Sequence, residues 1–256
     1  MAKIKTLIIR APGTNCDQET AFAFEQAGAQ TAVLHVNRLI CGEAKLADYQ
    51  IMVIPGGFTY GDDLGAGKVL ANELRLRLGG DIRRFVEAGG LILGVCNGFQ
   101  VMVKAGILPE LALETVPRVT LSNNDSGRFE CRWVYLKANA DSPCVFTRGI
   151  DMMYLPVAHG EGKFIAPPEV LPSVSVALRY CDEKGDTSVG YPGNPNGSMD
   201  AIAGISDSTG RIFALMPHPE RYIRATQHPQ WTRRGAAGYG DGFQIFRNAV
   251  AWVQSV

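Results

Sequence analysis

The chain has 256 residues, 46% of them hydrophobic and 20% charged, which suits one large core and excludes disorder as the main state. Lys plus Arg and Asp plus Glu both number 25, so no net field draws the protein to nucleic acid or an anionic membrane, and a protein or small-molecule partner is expected. No apolar run approaches the ~20 residues of a membrane span, the opening MAKIKTLIIRAPG is too short for a signal peptide, and the six cysteines form no C-x-x-C pair, so a reduced, cytoplasmic chain without zinc is expected.

Lys5 to Arg10 reads as the first strand and Asp17 to Ala27 as a helix ending at Gly28. Thr31 to Val36 and Ile51 to Ile54 are the next strands. Short apolar runs separated by helical segments predict parallel strands covered on both faces. A glycine-rich loop from Pro55 leads to a helix over Val69 to Leu78; Asp81 is placed as the cap of a separate helix through Glu87, which Gly89-Gly90 ends. Leu91 to Val95 is a fully apolar strand, and Asn97 to Ala105 the helix leaving it. From Val116 to Ser208 scattered strands, among them Trp133 to Leu136, Val174 to Tyr180 and Ala201 to Ile205, predict an antiparallel or mixed portion packed on the parallel sheet. Ile212 to Leu215 is a further apolar run, and Asp241 to Val253 an amphipathic closing helix. The expected fold is therefore α/β, a mostly parallel sheet with helices on both faces and a smaller antiparallel portion, with residues 1–256 as one domain.

Gly94-Val95-Cys96-Asn97-Gly98 places a cysteine between an apolar strand and a helix. In the analogous G-x-S-x-G turn the nucleophile is strained into an exposed position and flanking glycines make room for it. The helix N-terminus also favours thiolate over thiol. A base is offered by Met216-Pro217-His218-Pro219-Glu220, because residues two apart in extended chain share a face and Glu220 can orient the imidazole. Gly61 to Lys68 has the outline of a phosphate-binding loop, but Asp62 replaces its first glycine and Val69 its Ser/Thr, so nucleotide binding is rejected. Arg128 and the pairs Arg83-Arg84 and Arg233-Arg234 are read as solvated charge.

The motifs GVCNGFQ (94 to 100) and MPHPER (216 to 221) resemble the class I, triad-type glutamine amidotransferases. PGGFTYGDDLGAG (55 to 67), PVAHGEG (156 to 162) and NPNGS (194 to 198) are similar to the branch that feeds ammonia to the conversion of formylglycinamide to formylglycinamidine ribonucleotide in purine biosynthesis. The resemblance implies a flavodoxin-like amidotransferase fold and glutamine hydrolysis through a thioester on Cys96, with His218 and Glu220 completing the triad. It also implies an oxyanion site at Gly57 and Asn97, and substrate contacts from Phe58, Gln100, Ala158, His159 and Gly160. It places ATP and Mg on a synthetase partner, with or without a small accessory subunit, and leaves this chain without a cofactor. It extends to about Arg221; residues 222–242 are read as a surface-loop extension. A class I amidotransferase of another pathway, a cysteine-elbow protein of the intracellular-protease or chaperone type, and a non-catalytic subunit are the competing readings. The first two would lack PGGFTYGD and the late HPE respectively; the third would have lost a triad residue.

Overall fold

The computed structural model describes residues 3–113, 117–235 and 238–255. The strands are β1 (Lys5–Arg10), β2 (Gln30–His35), β3 (Ile51–Ile54), β4 (Leu91–Val95), β5 (Thr120–Asn123), β6 (Glu130–Ala138), β7 (Met152–His159), β8 (Glu161–Ile165), β9 (Ser175–Cys181), β10 (Ile202–Ser206) and β11 (Ile212–Leu215). The helices are α1 (Asp17–Gln26), α2 (Val36–Ile40), α3 (Lys68–Glu87), α4 (Asn97–Lys104), α5 (Trp231–Arg234) and α6 (Phe243–Ser255).

One nine-stranded sheet runs β2-β1-β3-β4-β11-β10-β9-β6-β7. The first five strands are mutually parallel, and β10, β9, β6 and β7 extend the sheet antiparallel. The expected antiparallel portion is thus mainly a continuation of the same sheet, with β5 and β8, among the described residues, pairing apart from it. β3, β4 and β11 are buried at every residue, as strands covered on both faces must be.

From β1 to β2 the chain steps one way across the sheet, and from β3 to β4 the other. Right-handed crossovers therefore put α1 and α3 on opposite faces. α6 joins α1, Phe24 meeting Phe246 edge-on at 5.0 Å, and α4 packs with α3. The reversal of direction opens a crevice at the carboxyl ends of the strands, where open α/β sheets bind ligands. The loops after β1, β3, β4 and β11 all end there.

Two sequence expectations are corrected. α3 runs unbroken through Gly79-Gly80, so Asp81 caps nothing. Leu70, Leu74, Leu78, Ile82 and Phe85 form one buried stripe, and burying that stripe outweighs the ~1 kcal/mol that each helical glycine costs. Residues 222–242 are not a loop throughout, because Tyr222, Ile223, Ala225 and His228 are buried. Trp133 lies 5.1 Å from Tyr222 and 4.8 Å from His228, pinning the segment to β6. The anticipated start of the antiparallel portion at Val116 and the side chain of Arg234 fall outside the described residues.

Candidate active site

β4 ends in a bend with Cys96 at φ 50° and ψ −105°, a conformation a non-glycine residue adopts only when its surroundings enforce it. The Cys96 N–H donates to Leu215 O of β11 at 2.8 Å, and its carbonyl accepts the first helical bonds of α4 from Phe99 and Gln100. Both flanking glycines are required sterically. A Cβ on Gly98 would lie 1.9 Å from Ile54 O, and one on Gly94 would lie 2.4 Å from Met102 Sδ. The sulfur is 3.6 Å from Ala158 O.

His218 and Glu220 follow β11 and are almost wholly buried, with Nδ1 2.6 Å from Glu220 Oε1. The His218 N–H donates to Pro156 O at 2.8 Å, tying this segment to β7. Since Glu220 engages Nδ1, Nε2 is the nitrogen left for Cys96; it has no hydrogen bond of good geometry among the described residues. Burial opposes protonation of the ring, but the Glu220 carboxylate and the Cys96 sulfur outweigh it and hold the His218 pKa well above its ordinary value. An imidazolium facing a sulfur stabilises the thiolate, which is the nucleophilic form.

Gly57 makes an isolated antiparallel bridge with Thr14. The flanking bonds, Phe58 N–H to Gly13 O at 2.9 Å and Asn15 N–H to Gly56 O at 3.3 Å, mark Thr14 and Gly57 as a non-hydrogen-bonded pair. The Gly57 N–H therefore points away from the Thr14 strand. A side chain at Gly57 is ruled out twice, by φ 152° and by a Cβ position 2.7 Å from Gly13 O. Asn97 is the first residue of α4, where a backbone N–H has no intrahelical acceptor.

A cavity of about 440 Å³ opens beside Cys96, lined among others by Gly57, Phe58, Gln100, Ala158, His159 and Gly160. Every substrate-contact residue expected from the sequence thus borders one space, but their side chains have different tasks. Phe58 is 47% exposed at the mouth, 6.4 Å from the ring of Phe129. Gln100 is buried, its Nε2 donating to Glu161 O at 2.5 Å and its Oε1 accepting from Asn97 Nδ2 at 2.9 Å. The Asn97 side chain also accepts from Thr59 N and Oγ1 at 3.2 and 2.7 Å and donates to Asp62 at 3.2 Å. This network ties the glycine-rich loop to the elbow. The His159 ring is buried in the β7–β8 turn, Nδ1 3.1 Å from Asn124 Oδ1, and burial with the charge of His218 lowers its pKa to about 4.

The sequence reading missed several residues of this region. Asn124 holds the β7–β8 turn through His159 O and Gly162 N–H. Asn196, in the NPNGS motif, reaches Gly162 O at 2.8 Å and Tyr180 Oη at 3.1 Å, so that motif buttresses the turn from behind. Arg128, read as solvated charge, stands on the cavity wall with Asp62 and Glu161. Asp62 fills its own loop by accepting from Gly67 N–H at 3.0 Å, placing a carboxylate where a phosphate would need donors. Cys16, one of the cysteines outside any motif, lies 3.9 Å from His218 Nδ1. The contacts of Asn124, Asn196 and Cys16 carried no local signal, because each reaches a partner across 34 or more residues.

Residues 3–253 match the family model of the CobB/CobQ-like glutamine amidotransferase domain. The chain is 57% identical over 256 residues to the phosphoribosylformylglycinamidine synthase subunit PurQ of Dehalococcoides mccartyi, covering 100% of both chains. It is 44% identical over 264 residues to the subunit of that name from Methanococcus maripaludis, covering 97% of each. Among solved structures, a chain in the structure of PurLQS from Thermotoga maritima is similar at 32% identity with a TM-score of 0.76, covering 98% of this chain and 100% of that one.

Proposed function

Because the chain belongs to the CobB/CobQ-like glutamine amidotransferase family, we propose that it is the glutamine-hydrolysing subunit of a phosphoribosylformylglycinamidine synthase, acting as one domain through Cys96, His218 and Glu220. The observation that carries the reading is the strained Cys96 elbow facing a buried His218–Glu220 pair beside a cavity of amino-acid size.

The Cys96 thiolate attacks the carboxamide carbon of glutamine. The oxyanion that forms is received by the N–H groups of Gly57 and Asn97. His218 Nε2 delivers its proton to the departing ammonia, leaving a glutamyl thioester on Cys96. The now neutral His218 takes a proton from water, which attacks the thioester and releases glutamate, restoring the ion pair. Glu220 holds the tautomer throughout. Phe58, Gln100 and the Ala158-His159-Gly160 turn frame the amino-acid end of the substrate.

Ammonia released into water is protonated and lost as a nucleophile, so the product passes directly to a synthetase subunit, where ATP and magnesium activate formylglycinamide ribonucleotide. The names of the relatives support that partner, PurLQS naming an assembly in its own right. No helix among the described residues is long and apolar enough to cross a membrane; the biosynthetic enzymes named among the relatives support a cytoplasmic place for this one. The test is glutamine-dependent formation of formylglycinamidine ribonucleotide with ATP and the synthetase subunit. Cys96→Ala should abolish use of glutamine and leave ammonia-dependent synthesis intact; loss of both would assign Cys96 a structural role.

A further inference from the structure

Cys16 takes no part in the displacement chemistry, yet its sulfur lies against the ring that does. The residue immediately precedes α1. Its N–H donates to Gly56 O at 3.2 Å, and its carbonyl accepts from Thr20 N–H and Oγ1 at 3.1 and 2.6 Å, so the backbone is fixed on both sides. The sulfur is 3.9 Å from His218 Nδ1, 3.1 Å from Asn15 Oδ1, and accepts from Arg221 Nη2 at 3.0 Å. The loop after β3 closes the remaining side. A Cβ on Gly56 would stand 2.9 Å from His218 Cε1 and 3.2 Å from Cys16 Sγ.

Two other roles for this sulfur fail on the same geometry. A second nucleophile must be a thiolate, but burial pushes the Cys16 thiol up, so its S–H is kept and donates to Asn15. A metal ligand would use the closeness of Cys16, His218 and Glu220, whose ligand atoms lie within 4.8 Å of one another. The sulfur lone pair already faces a guanidinium, however, and Nδ1 already engages Glu220.

We propose that Cys16 and Arg221 are a positioning pair for His218, the sulfur fixing the plane of the imidazole so that Nε2 meets Cys96 and Arg221 holding the sulfur in place. The bond to Glu220 fixes one nitrogen but leaves the ring free to pivot about it; an acceptor atom locked beside Nδ1 by Arg221 removes that freedom. The charged and titratable groups that act on the ring or on this pair are Glu220 and Arg221 from the same segment, Cys96 from the elbow, Cys16 and Glu19 from the start of α1, and His159 from β7. Arg221 is the cation among these groups that carries its charge at every working pH.

The inference rests on the triad proposed above, and its test is separable from glutamine hydrolysis. Carbamidomethylation of Cys96 by iodoacetamide, read on the Cys96 peptide by mass spectrometry across pH, reports the thiolate without any substrate. With the ring loosened, Nε2 no longer keeps its place beside the Cys96 sulfur. In Cys16→Ala and Arg221→Gln the midpoint should rise by about one pH unit, so modification in mildly acidic buffer falls about tenfold. Cys16→Ser and Arg221→Lys, which keep the acceptor and the charge, should stay within about threefold of the wild type. In the complex with the synthetase, kcat for glutamine should fall in the first two variants while KM holds. Wild-type profiles in both, a serine variant no better than alanine, or a raised KM at unchanged kcat would overturn the proposal. If Cys16→Ala does not fold, the Gln and Lys variants of Arg221 decide alone. A shifted profile in a chain that hydrolyses no glutamine would refute the function and keep the positioning pair; normal hydrolysis with unshifted profiles would do the reverse.

Discussion

Replacing Glu220 by glutamine changes one charge and almost no volume, and the surroundings determine which way the new amide faces. Glu220 Oε2 is buried with no hydrogen-bond partner among the described residues. If the amide oxygen faced Nδ1, the NH2 would occupy that site with nothing to accept from it, at about 1–3 kcal/mol. The amide therefore turns its NH2 to Nδ1. A donor there forces the ring proton onto Nε2, and a neutral imidazole protonated at Nε2 cannot take the Cys96 proton. The lost charge acts in the same direction. Centres about 4 Å apart at an effective dielectric constant of ~20 interact by ~4 kcal/mol, which is roughly a thousandfold in rate. Glutamine turnover in the complex should fall by on the order of 10³ in kcat, with KM little changed. Iodoacetamide modification of Cys96 near neutral pH should fall with it. A Glu220→Gln enzyme within tenfold of wild type would show that the carboxylate neither sets the tautomer nor supports the thiolate.

Gly98→Ala should lower the unfolding midpoint, since its Cβ would lie 1.9 Å from Ile54 O and the backbone must shift, at about 1–3 kcal/mol or more; an unchanged midpoint in a thermal scan would mean that the elbow is not this tight. His159 is buried with its pKa lowered to about 4, while the unfolded chain protonates near 6.5. The folded state thus resists the proton, and stability that is complete above pH 6.5 is lost by about 3 kcal/mol as pH falls toward 4. Denaturant titrations of wild type and His159→Asn should diverge over that window, and parallel pH slopes would contradict the buried neutral ring. Asn196→Ala breaks the links to Gly162 and Tyr180, so KM for glutamine should rise while Cys96 modification keeps its wild-type pH profile.

What could be read in advance was whatever the chain writes locally. The elbow is one strand, one turn and one helix in succession, and His218 and Glu220 lie two residues apart, so spacing raised both as candidates and the family resemblance joined them. The buried parallel strands showed as continuous apolar runs. Asn124, Asn196 and Cys16 could not be seen this way, because an asparagine holding a turn 35 residues distant looks like any loop asparagine. Gly79-Gly80 misled for the opposite reason. Helix-breaking chemistry was present, but the buried stripe on both sides of it carried the helix through.

The step that makes these distant segments into one site is the pairing of β4 with β11. Their register sets Val95 opposite Leu215, so the proposed nucleophile Cys96 follows one residue, and the proposed base His218 three residues, after the last paired rung. The bond from Cys96 N–H to Leu215 O locks that relation at the bend itself. A slip of one residue would reverse the faces of β11, which is buried on both sides at every position, and would be strongly opposed by packing. The strain at Cys96 is thus held by the ladder, and the ladder that holds it also brings His218 to the sulfur. The β7–β8 turn then meets the elbow and its helix through Ala158 O and Glu161 O, carried there by the antiparallel strands that continue the five parallel ones.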